Sequence, residues 1–359
     1  RGMTAEARLR WYARFFDTVE EAIRIFRAHP DSAGYDLPAS LTNLGWIEQN
    51  EGRMDSAEAR LREALAIRRR SLPPDHPFTA RSVGHLSDLL LRRGLLAEAE
   101  TLALEAVAIT ERIYPPRHPA RASSAVQLAR VLDQAGKPTA AEARYREALE
   151  IYRAVYGDRS AGTAQMLNNV GLFLFAHGGL GEPEAMFREA ITIFAALRGP
   201  DDPWTTIVAG TLAEVWLAQG RLAESDSVLR WAIPALERSL GPEDVRLAIP
   251  LRTHGLTLLR MGRAADAEPL LRRAVRLERA GGRGEQRVAL AEAALGVCLV
   301  ERGLLPEAEP MLRSAVEVLT RTGGRGPALD YAASALVRLY TLTGRPADAA
   351  RFRPPPPDR

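Results

Sequence analysis

Gly52-Arg53-Met54-Asp55-Ser56-Ala57-Glu58-Ala59-Arg60-Leu61, with Glu63-Ala64-Leu65 behind it, is the stretch whose reading decides the fold. The same pattern returns at Gly94, Gly136, Gly178, Gly220 and Gly262, each 42 residues after the last, and again at Gly303 and Gly344, 41 apart. Self-similarity at a fixed period in this range marks stacked repeats, in which each unit buries its apolar face against its neighbours. The length of 359 residues therefore counts as one elongated array rather than two globules.

Working outward from Gly52, residues 37–50 carry Leu41, Leu44 and Ile47 around the small Gly45, a helical and not an alternating pattern. Gly52 is a helix C-terminal breaker. Asp55 or Ser56 then offers an N-cap side chain for a second helix, whose stripe is Ala57, Leu61, Ala64, Leu65 and Leu72. Pro73-Pro74-Asp75-His76-Pro77 closes the unit. Small residues recur in the second helix at Ala64, Ala106, Ala148, Ala190, Ala232, Ala274 and Ala315. Close helix approach explains them, because helices 8–10 Å apart leave little room for branched side chains. The first helices carry Leu44, Leu86, Leu128, Val170, Leu212, Leu295 and Leu336; His254 interrupts the series and reads as a satisfied core histidine.

Subtracting the period places residues 11–27 as the second helix of a partial repeat within 1–35, ahead of seven full repeats over 36–343. Residues 344–359 form a truncated last repeat and a proline-rich tail. Pro269, Pro306 and Pro310 fall in or near first helical turns, whereas Pro234 is expected to kink its helix.

The glycine–Ala-Glu-Ala–Glu-Ala-Leu signature resembles the tetratricopeptide repeat, and the 42-residue period with Leu-Pro-Pro-Asp-His-Pro between units resembles its kinesin-light-chain-like variant. Against the ordinary repeat of about 34 residues, the extra length falls in the second helix and its loop. The resemblance implies an all-α fold, a right-handed α-solenoid of stacked helix-turn-helix repeats, with a concave groove lined by first helices that holds a peptide or partner protein. It also implies that the position two residues ahead of the small first-helix residue faces that groove. Reading through the units gives Asn43, His85, Gln127, Asn169 (beside Asn168), Thr211 and Thr253, then Ala294 and Ala335. Six hydrogen-bonding side chains in one phase suit the backbone of an extended peptide; a merely solvated groove is the alternative. Further along the same helices, Trp46, Asp88, Arg130, Gln49, Leu91 and Asp133 give way to Leu172, Glu214, Leu256, Val297, Phe175, Leu217, Leu259 and Val300. The groove is thus expected to turn from mixed-polar to apolar, with Phe175, Leu217 and Leu259 binding, unless packing buries those positions. Lysine is absent from every groove slot, which disfavours the carboxylate clamp of chaperone-tail adaptors.

No catalytic, metal or cofactor site is expected. The six histidines are scattered, His76 and His118 share one loop slot, and Cys298 is the only cysteine. The runs Gly281-Gly282-Arg283-Gly284 and Gly323-Gly324-Arg325-Gly326 lack the Lys-Ser/Thr that completes a phosphate loop. Nucleic acid is not an expected partner. The net charge is only +3 despite a pI near 9.2, because Lys137 is the sole lysine among 48 bases, and acidic residues are interspersed. No apolar run is long enough to span a membrane, and a cytoplasmic, bacterial origin is the expectation. The function read from this is a non-catalytic protein- or peptide-binding scaffold of unknown oligomeric state. A regulatory or sensor arm of a larger bacterial signalling enzyme, such as a serine/threonine kinase, is the alternative, and self-assembly through solenoid ends a third reading.

Overall fold

The structure, a computed structural model, describes residues 18–21, 23–25, 36–282, 284–323 and 327–352. The described residues are α-helical with no strand. They fall into two compact units, Arg1–His177 and Gly178–Arg359.

In the first unit the helices are α1 (Asp36–Asn50), α2 (Met54–Ser71), α3 (Pro77–Arg92), α4 (Leu96–Ile113), α5 (Pro119–Gln134), α6 (Pro138–Tyr156) and α7 (Ala161–Ala176). Consecutive helices pack as hairpins, and α3 also touches both α1 and α5, so first helices stand side by side. Residues 18–21 and 23–25 are helical, and Val19 and Ile23 pack on Leu37, Leu41 and Leu44. The rest of the helix expected over 11–27, the loop residues 324–326 and the tail beyond 352 lie outside the described residues.

The second unit holds α8 (Gly181–Arg198), α9 (Pro203–Ala218), α10 (Leu222–Leu240), α11 (Ala248–Arg260), α12 (Ala264–Gly281), α13 (Glu285–Glu301), α14 (Leu305–Gly323), α15 (Pro327–Leu342) and α16 (Pro346–Ala350). A short 3-10 turn, Val245–Leu247, leads into α11. Second helices run to 18 or 19 residues where complete, against 13 to 17 for the first helices beside them.

The glycine turn closes through backbone groups. At Gly52 the φ is +81°, and the Arg53 amide donates back to the Glu48 carbonyl at 2.8 Å. The equivalent bonds, Leu95 to Leu90, Lys137 to Leu132, Arg221 to Trp216, Arg263 to Leu258, Leu304 to Leu299 and Arg345 to Tyr340, are all 2.8–2.9 Å. This six-to-one closure satisfies end carbonyls that a helix otherwise leaves orphaned. It also corrects the expected N-cap: α2 begins at Met54, one residue before Asp55, with Arg53 in the cap position and no side-chain cap bond. The tight turn starts the next helix before Asp55 or Ser56 can act.

Side-chain caps occur instead at the inter-hairpin loops. His76 Nδ1 accepts from the Phe78 amide at 3.2 Å, and His118 Nδ1 from Ala120 at 3.1 Å, each followed by proline at the first helical position. Ser160, Asp202 and Asp244 do the same work ahead of α7, α9 and the 3-10 turn.

Close approach accounts for the alanines: Ala64, Ala106, Ala148, Ala190, Ala232, Ala274 and Ala315 are all 0–2% exposed. The Glu of the Ala-Glu signature has its own role in several units. Glu100 takes Lys137 at 2.6 Å in the first unit, and Glu184, Glu268 and Glu309 take Arg221, Arg302 and Arg345 at 2.7–3.0 Å in the second. Each carboxylate thus bonds a cation from the following hairpin's turn, which joins neighbours in register. Helix α10 runs through Pro234 without interruption, and Pro269 and Pro310 lie inside α12 and α14.

Candidate functional site

In the first unit a cleft of about 670 Å³ opens between the first helices α1, α3 and α5, with α4 behind it. Trp46, Phe78, Arg81, His85, Gln127 and Arg130 form its working walls. Helical spacing puts them there: Arg81, His85 and Asp88 share one face of α3, and Gln127 and Arg130 the matching face of α5. Trp46 is 52% exposed, an unusual amount of apolar surface to leave in water.

The cleft's one lining carboxylate is already engaged. Asp88 Oδ1 accepts from Arg130 Nη1 at 2.6 Å, and Oδ2 from Arg92 Nε at 3.3 Å. Gln127 donates to the Gly84 carbonyl across the hairpin boundary, so it fixes the wall rather than projecting into the cleft. Arg81 lies 5.1 Å from the Phe78 ring centre, and Arg68 lies 5.6 Å from it. Arg68 is 2% exposed and donates to the Phe78 carbonyl and to Ser82 Oγ. Among the described residues neither Arg68 nor Arg81 has a carboxylate partner. Burial, with Arg81 adding, pushes the Arg68 guanidinium down to about 10. Enclosure by the cleft walls, with Arg81 and Arg68 adding, lowers the pKa of His85, whose outer edge stays open to solvent.

The expected polar ladder divides by availability. Asn43 and His85 are exposed, and Asn169 is half-buried. Asn168 is buried, with its Oδ1 unpartnered. Phe175, the last of the expected positions in this unit, is half-buried. In the second unit Thr211 is half-buried and bonds its own helix at Ile207 O, 3.3 Å away. Thr253 is 1% exposed, donating to Glu214 Oε1 and lying within reach of Ile249 O, both at 3.0 Å. Leu217 and Leu259 are half-buried, and Arg260 Nη1 caps the Leu217 carbonyl at 2.8 Å. Val297 and Val300 belong to the core of α13, where packing has buried them, and so add no apolar wall.

Sequence reading passed over Arg81 and Phe78. Their signal was present, since Arg81 precedes His85 by one helical turn, but the lack of a counter-charge shows only in three dimensions.

Among the described residues no group of three His, Cys, Asp or Glu side chains could hold a metal ion, and no helix is long and apolar enough to cross a membrane. Cys298 is fully buried, its Sγ 3.3 Å from the Ala264 carbonyl, and burial pushes its thiol up to about 11.

Antiparallel helix pairs, each closed by a glycine turn and repeating every 42 or 41 residues, define a helical repeat protein of the kinesin-light-chain-like type. Tetratricopeptide-repeat signatures match residues 36–112, 83–154 and 162–238, and a second such signature matches 252–327. The chain belongs to the tetratricopeptide repeat family. No curated protein matches it. Among solved structures, the apo form of the quorum sensor NprR from B. thuringiensis is similar at a TM-score of 0.63, with 12% identity over 95% of this chain and 96% of that one. The apo form of RapI gives 0.60 at 16% identity, covering 78% and 96%. A putative kinesin light chain of Podosopora anserina with nearly identical TPR-like repeats gives 0.50 at 19%, covering 59% and 98%. At these identities the likeness is one of fold.

Proposed function

We propose that the chain is a non-catalytic scaffold, seven repeats over residues 36–343, that holds a protein or peptide segment along its first helices. The observation that carries this is the cleft of the first unit, where Trp46 stands 52% exposed beside polar groups from α3 and α5. A bare indole ringed by hydrogen-bonding groups is the composition of a binding hot spot. Asn43, His85 and Asn169 supply donors and acceptors for a peptide backbone in the first unit; half-buried Leu217 and Leu259 supply apolar contact in the second.

The experiment is affinity capture of binding partners by the full chain, repeated with Trp46→Ala and with Asn43→Ala/His85→Ala. Partners lost from both variants, with melting temperatures unchanged, support the reading. Capture that survives both substitutions sinks it. For the second unit, Leu217→Ala should weaken binding more than it lowers the melting temperature; a large stability loss with unchanged binding assigns Leu217 to packing alone.

A regulatory or sensor arm of a larger bacterial signalling enzyme is the second reading. Its support is the fold that the chain shares with the quorum sensor across 96% of that protein's length.

A further inference from the structure

We infer that the first unit's cleft takes a segment bearing a dianionic oxyanion, a phosphorylated side chain, with Arg81 as its direct contact and an apolar neighbour of the phosphate covering Trp46. This rests on the scaffold reading and names its ligand class. Two guanidinium groups, Arg68 and Arg81, flank the Phe78 ring at 5.6 and 5.1 Å. Neither has a carboxylate among the described residues, and the cleft's single acid, Asp88, is held by Arg130 and Arg92. Arg68 is sealed behind the wall and acts only through its field; Arg81 is exposed and can turn its fork inward. The Phe78 carbonyl and Ser82 Oγ take hydrogen bonds from Arg68, but among the described residues no carboxylate offsets its buried charge, which is costly.

A carboxylate would balance one of the two charges. A phosphorylated side chain brings between about −1.5 and −2 at neutral pH and three acceptor oxygens, enough for the Arg81 fork and an N–H of His85. Single-stranded nucleic acid fits less well, because it needs successive open stacking faces. Phe78 already carries both guanidinium groups, and Tyr114 is stacked on His118 with centroids 3.9 Å apart, which leaves only Trp46 and the His85 ring open.

The test uses the immobilised full chain and three degenerate synthetic peptide libraries that differ only in one fixed residue: phosphoserine, glutamate or serine. The phosphoserine library should be retained roughly tenfold over serine and clearly above glutamate, a ratio that a second charge-assisted bond supplies. Arg81→Gln should erase that preference and Arg81→Lys restore it in part, with unchanged melting curves. Millimolar inorganic phosphate that competes without replacing the peptide's Trp46 dependence identifies the source as the phosphorylated side chain; equal binding of free phosphate in Trp46→Ala and wild type, with no library retained, overturns it. Equal retention of glutamate and phosphoserine, or indifference to Arg81→Gln, also overturns the inference. If the serine library is then still held in a Trp46-dependent way, the scaffold reading stands without it; if no library is held, both fall. Preferential retention of a single-stranded oligonucleotide would replace the phosphopeptide with nucleic acid.

Discussion

His254 Nε2 lies 2.9 Å from Asp226 Oδ1 inside the second unit, where the other first helices carry an aliphatic side chain. Asp226 is 2% exposed and His254 9%. Burial alone would raise the Asp226 carboxyl; hydrogen bonds from His254 and Arg230 bring it below its usual range. The pair replaces a methyl-rich contact with a hydrogen bond to a carboxylate that Arg230 also holds.

His254→Leu should therefore destabilise the second unit by about 2–4 kcal/mol, although it restores the repeat's own consensus residue, because Asp226 would keep Arg230 alone. Adding Asp226→Ala in that background should recover much of the loss. Urea unfolding of the single and double variants gives the coupling directly. A His254→Leu variant as stable as wild type would show the pair to be incidental.

Glu184 sets an acid-sensitive joint in the same unit. Burial opposes its ionisation, but Gln219, Trp216 and Arg221 donate to it, with Arg188 adding its charge, and the carboxyl falls to about 2 from 4.5. A depressed acid contributes stability that is present above its unfolded value and is lost as pH falls through the folded one. The loss should run from about pH 4.5 down to pH 2 and amount to something on the order of 3 kcal/mol. Thermal melts across that window should flatten in Glu184→Gln, at the cost of lower stability at pH 7. Identical slopes in the two proteins would remove Glu184 from the account.

Two glycines should resist alanine for opposite reasons. A Cβ on Gly255 would meet Leu271 Cγ at 2.5 Å, so Gly255→Ala overpacks α11 against α12 by about 1–3 kcal/mol, offset by roughly 1 kcal/mol of helix propensity. Gly94 has open space around it but a φ of +75°, and alanine there costs about 1–2 kcal/mol of backbone strain. Trimming Leu271 to Val should rescue the first variant, while Asn should be milder than Ala at the second. Denaturation midpoints of the four variants decide it.

The sequence pattern carried the helices and turns because repetition averages away local ambiguity: Gly52 and its copies recur with the same left-handed φ, and the alanine stripe is buried throughout. It misled at the helix start after Gly52, since a backbone closure leaves no trace in side chains. It gave no hint of Asp226 as the partner of His254, because the pairing crosses from the second helix of one hairpin to the first helix of the next. The site was legible only as a phase. Asn43 and His85 reach solvent from that phase, whereas Thr253 in the same phase is sealed by Glu214, because local packing decides which member of a repeated position stays open.

Cys298 has a practical consequence. It is the chain's single thiol, fully buried in α13, and its pKa near 11 keeps it protonated at neutral pH. A maleimide reagent should therefore modify the native protein only as fast as α13 comes away from its neighbours, turning one sulfur into a clock for local opening. A capturing ligand confined to the first unit should leave that clock untouched; one that also engages the second should slow it, and labelling as fast as that of a free thiol would mean the pocket around Cys298 is not closed.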